Sequence, residues 1–598
     1  MQNSTNYQYQ LAMLFLSLNL ILAGQLNAQS VQIDEATRDG FDGLRKMSND
    51  GYYIQFATEW TEGLKKGSAK VRIIMMDNEL NITNDVWVTT RRGNIDDVAF
   101  NGENFMVMVS GQDRSRTFMI IDKEGKTVAE KVLEKQKGTF WNSTTRKRAG
   151  YILPVDESDF LVITFLKESR VGYSITRYNN ELDILYSKEQ IPEKKKLYPT
   201  DFFIEGDRLN VLEFITPDLS DYFEYHVASF DLNTGNEVYK QRLQQPGEKT
   251  SGYATFIKSG GDGKVMTGGM YFDGQRVQEA NSDGFFTAVI EPDGNTKFSF
   301  TDWKNVKSDL KDEGTSGLLG GKTKTFMHDI AVNADGSFTL IGETYRKGDA
   351  DMAGNKNKTL AVAGKLGGIG GKGSNDELDI AVTVSGFALM NFSKEGSFTS
   401  VDKIIERPTI TIIKNTTDPE DLPTSGQRKG LNVANILNNN GYFPYRFVAE
   451  NGDDKYIVSL ASYKSLPMER LYFTKLNSTE LDTASVNVTS SDLQLILDLK
   501  NKTLGKLGGL GKMMSKASEI ASNEEKNDFE LRNSHDPFDY RGKASSSRLL
   551  QSNIPGKVLI YDFVPIPEEG EKQKGFFGQL TASMKGSLKI WYIDLPNK

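Results

Sequence analysis

Short apolar runs alternate with tight polar turns along most of this chain. One stretch shows the layout well. Asp97-Val98-Ala99-Phe100 leads to the turn Asn101-Gly102-Glu103-Asn104, and then to Phe105-Met106-Val107-Met108-Val109. Phe118-Met119-Ile120-Ile121 follows, then the turn Asp122-Lys123-Glu124-Gly125 and a last run, Thr127-Val128-Ala129. Apolar and β-branched runs bounded by Gly, Asn and Asp turns predict strands joined as antiparallel hairpins. Taking the first turn as a ruler, the unit recurs at Gly51, Glu103, Ser158, Asp207 and Gly263. These marks lie about 50 residues apart, the spacing of some propeller blades. Further units register at Gly336, Asp453 and Gly556 after wider gaps, which insertions explain. The pattern predicts an all-β chain, a β-propeller of about seven or eight four-stranded blades.

The last unit ends on Leu588-Lys589-Ile590-Trp591-Tyr592-Ile593-Asp594, its third strand, and the chain stops without a fourth. Ser30-Val31-Gln32-Ile33-Asp34 is a short strand with no partner of its own. In a ring it would complete the last blade and leave no open edge, and open edges invite aggregation.

Antiparallel strands alternate in direction. The turns joining first to second and third to fourth strands therefore emerge on one face of a propeller. The second-to-third loops and the connections between units emerge on the other. Tight turns occupy the first class nearly everywhere. The long segments occupy the second: connections Asn305–Lys324, Glu406–Tyr442 and Thr489–Ser546, and loops Phe272–Asp283, Lys347–Ile380 and Pro565–Gly586. Loops longer than about 12–15 residues usually carry function or are disordered. One rim thus becomes the expected functional face.

Two of these insertions share text. Lys356-Asn357-Lys358-Thr359-Leu360 precedes Lys365-Leu366-Gly367-Gly368-Ile369-Gly370, and Lys500-Asn501-Lys502-Thr503-Leu504 precedes Lys506-Leu507-Gly508-Gly509-Leu510-Gly511. Lys365, Leu366, Gly367, Gly368, Lys506, Leu507, Gly508 and Gly509 are the candidate binding residues, a glycine-hinged basic and apolar element. The plainer reading is an extra hairpin that covers the rim.

Residues 1–28 hold the address. Leu11 to Gly24 is an uncharged apolar run too short to span a bilayer comfortably, and Gln25-Leu26-Asn27-Ala28 offers a cleavage site after Ala28. The expected arrangement is a signal peptide over 1–28 and one propeller over 29–598, carrying insertions 305–324, 347–380, 406–442 and 489–546. No later run approaches the length of a membrane helix, so no integral membrane segment is expected after cleavage. The chain contains no cysteine. Disulfides, thiol catalysis and cysteine-held metals are excluded, and an exported chain of this size must hold by packing alone. Its net charge of −8, with both signs interleaved, shows no basic stripe and argues against a nucleic-acid partner.

Candidate chemistry is sparse. Gly368-Ile369-Gly370-Gly371-Lys372-Gly373 matches a dinucleotide pattern but lacks the surrounding strand and helix. Ser316-Gly317-Leu318-Leu319-Gly320-Gly321-Lys322-Thr323 nearly matches a phosphate loop, with serine in place of the first glycine. Both are rejected. His226, His328 and His535 fall in different units, none with a second histidine at metal-ligand spacing. His226 reads as a packed or surface strand residue, and His535 as a loop residue able to serve a site. Asp/Asn/Gly turns such as Asp231-Leu232-Asn233-Thr234-Gly235 lack the ligand spacing of a calcium loop and read as hairpin turns. No metal and no cofactor are expected. Carboxylates from separate blades could meet at a central opening, as glycoside hydrolysis requires, but 80 acidic residues leave the pair unchosen.

The strand pattern resembles that of kelch, WD40 and quinoprotein propellers. The resemblance covers nearly the whole mature chain without any family signature: no Gly-His and Trp-Asp pairs, no kelch Gly-Gly doublets in register. It implies a ring of blades and nothing about activity. The function expected is that of an exported, non-catalytic binding or scaffold protein, periplasmic, at the cell surface or secreted. It would act as a monomer and hold an unknown protein or glycan through the insertion-bearing face. The alternative is a carbohydrate-active enzyme with paired carboxylates at the central opening. Membrane-surface association through Leu504–Met514 is a third reading.

Overall fold

Hairpins dictated by the repeated turns assemble into eight sheets of antiparallel strands consecutive in sequence, except that the last takes in Ser30–Thr37 and the sixth gains a short parallel strand. The computed structural model describes residues 29–37, 41–47, 49–58, 68–91, 93–111, 115–133, 150–156, 158–167, 171–193, 195–217, 224–244, 250–273, 282–310, 323–347, 380–413, 434, 437–438, 443–462, 468–476, 483–489, 528–529, 547–565 and 585–596. The first blade runs Phe41–Lys46, Tyr52–Thr58, Ser68–Met76 and Ile82–Arg91 from inside to outside. Inner strands of the next six blades are Gly93–Phe100, Gly150–Asp156, Lys195–Glu205, Thr250–Ala254 with Lys258–Ser259, Thr323–Val332 and Tyr445–Asn451. The eighth begins with Ser547–Gln551. The inner strands of blades two and three, six and seven, seven and eight, and eight and one approach one another, and strands of the remaining neighbouring blades also meet. This is the β-propeller expected from the pattern.

Closure follows the expectation. Ser30–Thr37 pairs antiparallel with Lys585–Asp594 as the outer strand of the eighth blade, with Val31 opposite Ile590 and Ile33 opposite Leu588. The first and last described strands therefore meet in one sheet.

Stability comes from the layers between blades. Tyr52, Ile54 and Phe56 pack toward Leu559, Tyr561 and Leu588 of the eighth blade, while Tyr53 packs toward Val98, Phe105 and Val107 of the second. A second strand is thus buried on both faces. This is why Phe105-Met106-Val107-Met108-Val109 reads as a continuous apolar run rather than an alternating one. Each such side chain contributes about 1.5–3 kcal/mol when fully buried.

The polar turns close as hairpin turns. Asp122 accepts the backbone N–H groups of Glu124 and Lys126 on Oδ1, and Asn179 does the same for Glu181 and Asp183. Two connections differ from their expected bounds. The segment after the fifth blade starts as a helix, Trp303–Leu310, which buries Val306. The outer strand of the sixth blade runs on to Ile413, because Thr409-Ile410-Thr411-Ile412-Ile413 is β-branched and pairs with Ile380–Val384. Asp528–Phe529 lies parallel beside that extension.

Candidate functional site

The blade assignments place every long connection. The first-to-second and third-to-fourth turns close on one face. The connections across 348–379, 414–433, 490–527, 530–546 and 566–584 join strand ends on the opposite face. The candidate residues Lys365, Leu366, Gly367, Gly368, Lys506, Leu507, Gly508 and Gly509 lie outside the described residues, as do His535 and residues 1–28, where a signal peptide is expected.

Within the described residues, polar chemistry gathers on the inner strands, where the ladder is repeatedly interrupted. The pairing of inner and second strands shifts register between Ile95 and Asp97, between Pro199 and Asp201, between Met327 and Asp329, and between Tyr445 and Phe447. Such bulges re-aim side chains. Here they produce inter-blade staples. Asp97 accepts the backbone N–H of Ile152, from the third blade, at 2.7 Å and pairs with Arg45, from the first, at 2.7 Å. Asp201 repeats the first of these contacts two blades on, accepting the N–H of Ile257 at 2.8 Å and its own neighbour Phe202 at 3.0 Å. Asp329 pairs with Lys258 at 2.9 Å and accepts the Tyr445 hydroxyl at 2.6 Å.

Blade five is the hub of this arrangement. Consecutive residues of its inner strand hold two different carboxylates: the Ile257 N–H holds Asp201 of blade four, and the Lys258 ammonium holds Asp329 of blade six. The environments of the two acids differ. Among the described residues, Arg45 serves Asp97 and Lys258 serves Asp329, but Asp201 has no ion-pair partner. Counted back from the ruler turn, the inner strand of blade three offers Ile152 and Leu153 where blades one and five offer Arg45 and Lys258. Burial, reinforced by the Asp329 charge, pushes the Asp201 carboxyl up to about 7, against the pull of its two N–H donors and of Lys258.

Behind Asp329 lies a buried aromatic and ionic cluster. His328 is the bulged residue, its Nε2 3.0 Å from Glu343, and its ring stacks on Tyr445 at 5.0 Å between centroids. Phe443 meets the edge of the same ring at 4.8 Å. Burial and Asp329 together drive the Tyr445 hydroxyl well above the ordinary tyrosine range. His226 lies in the strand Glu224–Asp231, part-buried, 3.1 Å from Glu224. It was expected as a packed or surface strand residue, and the structure places it part-buried in a strand.

Sequence reasoning did not single out Asp97, Asp201, Lys258, Asp329 or Tyr445. A signal exists: Arg45, Asp97, Ile152, Asp201 and Ile257 all stand at the same distance before their ruler turns. Alignment of the units on that turn brings donor and acceptor into one column.

A family model described as "Family of unknown function (DUF6770)" matches residues 8–477, from ahead of the first blade to just past the third strand of the seventh. The chain belongs to this family. No curated protein matches it. Among solved structures, this DUF6770 chain is similar to the polysaccharide lyase Uly1, at 11% identity over 94% of this chain and 91% of that one, with a TM-score of 0.35. It is also similar to the quinohemoprotein alcohol dehydrogenase of Comamonas testosteroni, at 10% identity over 96% and 78%, with a TM-score of 0.34. A DUF4221 member from Bacteroides vulgatus matches at 9% identity over 77% and 99%, with a TM-score of 0.26. Likeness at this level carries no chemistry from those proteins to this one. Among the described residues no helix is long and apolar enough to cross a membrane.

Proposed function

We propose that the chain is an exported binding or scaffold propeller, which captures a protein or glycan through the face bearing its long connections. The observation that supports this is the partition of connections across eight blades. The turns on one face stay short, and the elaboration is confined to the other. A rigid ring with variable loops on one rim is the usual way a propeller presents a binding surface. The leader over 1–28 and the lack of cysteine support export.

The test is excision. Residues 349–378 and 491–545 are replaced by short Gly-Ser linkers, and the shortened chain is compared with the mature one. Retained thermal stability with loss of partner capture, read by cross-linking on envelope fractions and by glycan array, is the expected result. Undiminished capture by the shortened chain would overturn the proposal.

A further inference from the structure

The face opposite the long connections carries a surface of its own. Each outer strand opens there, straight after a tight turn. In blades one to four the opening residues are apolar and exposed: Ile82, Val128, Ile184 with Leu185, and Val238, each 40–52% exposed. Blades five and six open instead with Thr296-Lys297 and Phe398-Thr399, and Phe398 packs against the core. The apolar arc is thus carried by blades one to four and interrupted at five and six. Exposed apolar residues repeated over neighbouring blades mark an interaction surface.

The same blades are acidic on this face. Between their strands, their tight turns hold nine carboxylates and two lysines among the described residues. A cavity of about 460 Å³ opens between the two turns of blade two, lined by Gly102, Glu103, Asn104, Asp122, Lys123 and Glu124. Three carboxylates around one cavity suit the ammonium of an entering lysine. The occupant that fits this surface is therefore basic and apolar at once. The chain holds such an element twice. Residues 356–372 contain four lysines and residues 500–516 five, with leucine, isoleucine, valine or methionine between them and no acidic residue in either stretch. Both belong to connections that leave the opposite face.

We propose that the basic element of one copy docks on the acidic, apolar arc of a second copy, so that the rings stack head to tail. Element and arc belong to opposite faces, so each contact leaves a free arc at one end and a free element at the other. Contacts of this kind propagate into open stacks. The proposal rests on the reading that the elaborated face binds, and names one protein that it holds. The monomer expected from the sequence would then exist only at low concentration.

The test is sedimentation velocity on a chain over 29–598, from about 1 to 200 μM, at about 50 and 500 mM salt. Mass should rise with concentration at low salt, and the rise should fade at high salt. A face variant carries Glu79→Lys, Glu124→Lys and Glu181→Lys. An element variant carries Lys365→Gln, Lys372→Gln, Lys506→Gln and Lys512→Gln. Each alone should stay monomeric, with folding checked by circular dichroism. Mixed, they should form dimers and nothing larger, since one intact element then meets one intact face. Leu185→Ser with Val238→Ser should weaken association about ten-fold. Asp293→Lys with Glu395→Lys, on blades five and six, should leave it within about three-fold. Undiminished association in either charge variant, no dimer on mixing, or equal losses from the blade five and six pair would overturn the stack. A chain that stays monomeric throughout yet captures a glycan or envelope protein would overturn the stack and leave the capture reading standing.

Discussion

Ile33 lies opposite Leu588 in an antiparallel ladder, so the first and last described strands close the ring in one sheet. Both residues are buried, Ile33 at 1% exposure, and both join the layer shared with the first blade. Removing Ser30–Thr37 would expose the edge of Lys585–Asp594 and empty part of that layer. A chain over 29–598 lacking 30–37 should melt at clearly lower temperature and elute as aggregate on size exclusion. A synthetic Ser30–Thr37 peptide added in trans should recover part of the melting temperature. Ile33→Asp should mimic the truncation, and unchanged melting in both would show that the ring does not depend on this strand.

Asp97 is fully buried and joins three blades, with Arg45 on one side and the Ile152 N–H on the other. Replacing it with alanine takes the carboxylate from a nearly buried guanidinium, which keeps the Val98 carbonyl, and the side-chain acceptor from an inner-strand N–H. Loss of one partner from such a pair costs about 3–5 kcal/mol. Asp97→Asn keeps an acceptor for Ile152 and should cost less. The surface pair of Arg72 with Asp85, at 2.7 Å, offers the contrast. Asp85→Asn should change stability by about 1 kcal/mol or less. Urea denaturation of the three variants decides the order, and equal effects would remove Asp97 from its role as a staple.

The blade repeat and the closing strand were legible because both depend on local signals. Turn residues such as Asp122 and Gly125, and continuous apolar runs such as Phe105–Val109, carry their structural meaning within one unit. The face bearing the connections was legible for the same reason, since strand direction follows from the hairpin count. The staples were not, because an inner-strand bulge inserts one residue without any compositional mark. His328 at a bulge looks in sequence like any strand residue, and its pairing with Glu343 depends on a neighbouring strand. The sixth outer strand extends to Ile413, into the segment expected as a connection, because the β-branched run after Pro408 resumes the ladder.

Asp201 makes stability depend on pH in a predictable sense. Its folded value of about 7 stands above the ordinary 3.8, so between these limits the folded chain holds a proton that the unfolded chain has released. Stability is present in full at the acid end of this window and falls as pH rises through it. Asp201→Asn removes the titration while keeping an acceptor for the Ile257 N–H. The variant should match the parent near pH 4, pull ahead as pH rises through the window, and exceed it at pH 8 by roughly 4 kcal/mol at most. Melting curves at both pH values test this, and a parent chain that gains stability between pH 5 and 8 relative to the variant would contradict it.

Gly235 closes the turn before the outer strand of the fourth blade with φ of +67°, and it packs flat against the third. A Cβ placed there would lie 2.5 Å from the Tyr186 ring. Gly206, in the other turn of the same blade, has φ of +56° and nothing within 4 Å of the equivalent point. Both glycines relieve the left-handed backbone, which costs other residues about 1–2 kcal/mol. Only Gly235 also admits the neighbouring blade. Gly206→Ala should therefore lose about 1 kcal/mol, and Gly235→Ala about 2–4 kcal/mol, since overpacking adds about 1–3 kcal/mol. Equal losses in urea melts would show that Tyr186 yields freely and that this turn does not set the spacing between blades. A larger loss at Gly235, relieved by adding Tyr186→Ala, would show that it does.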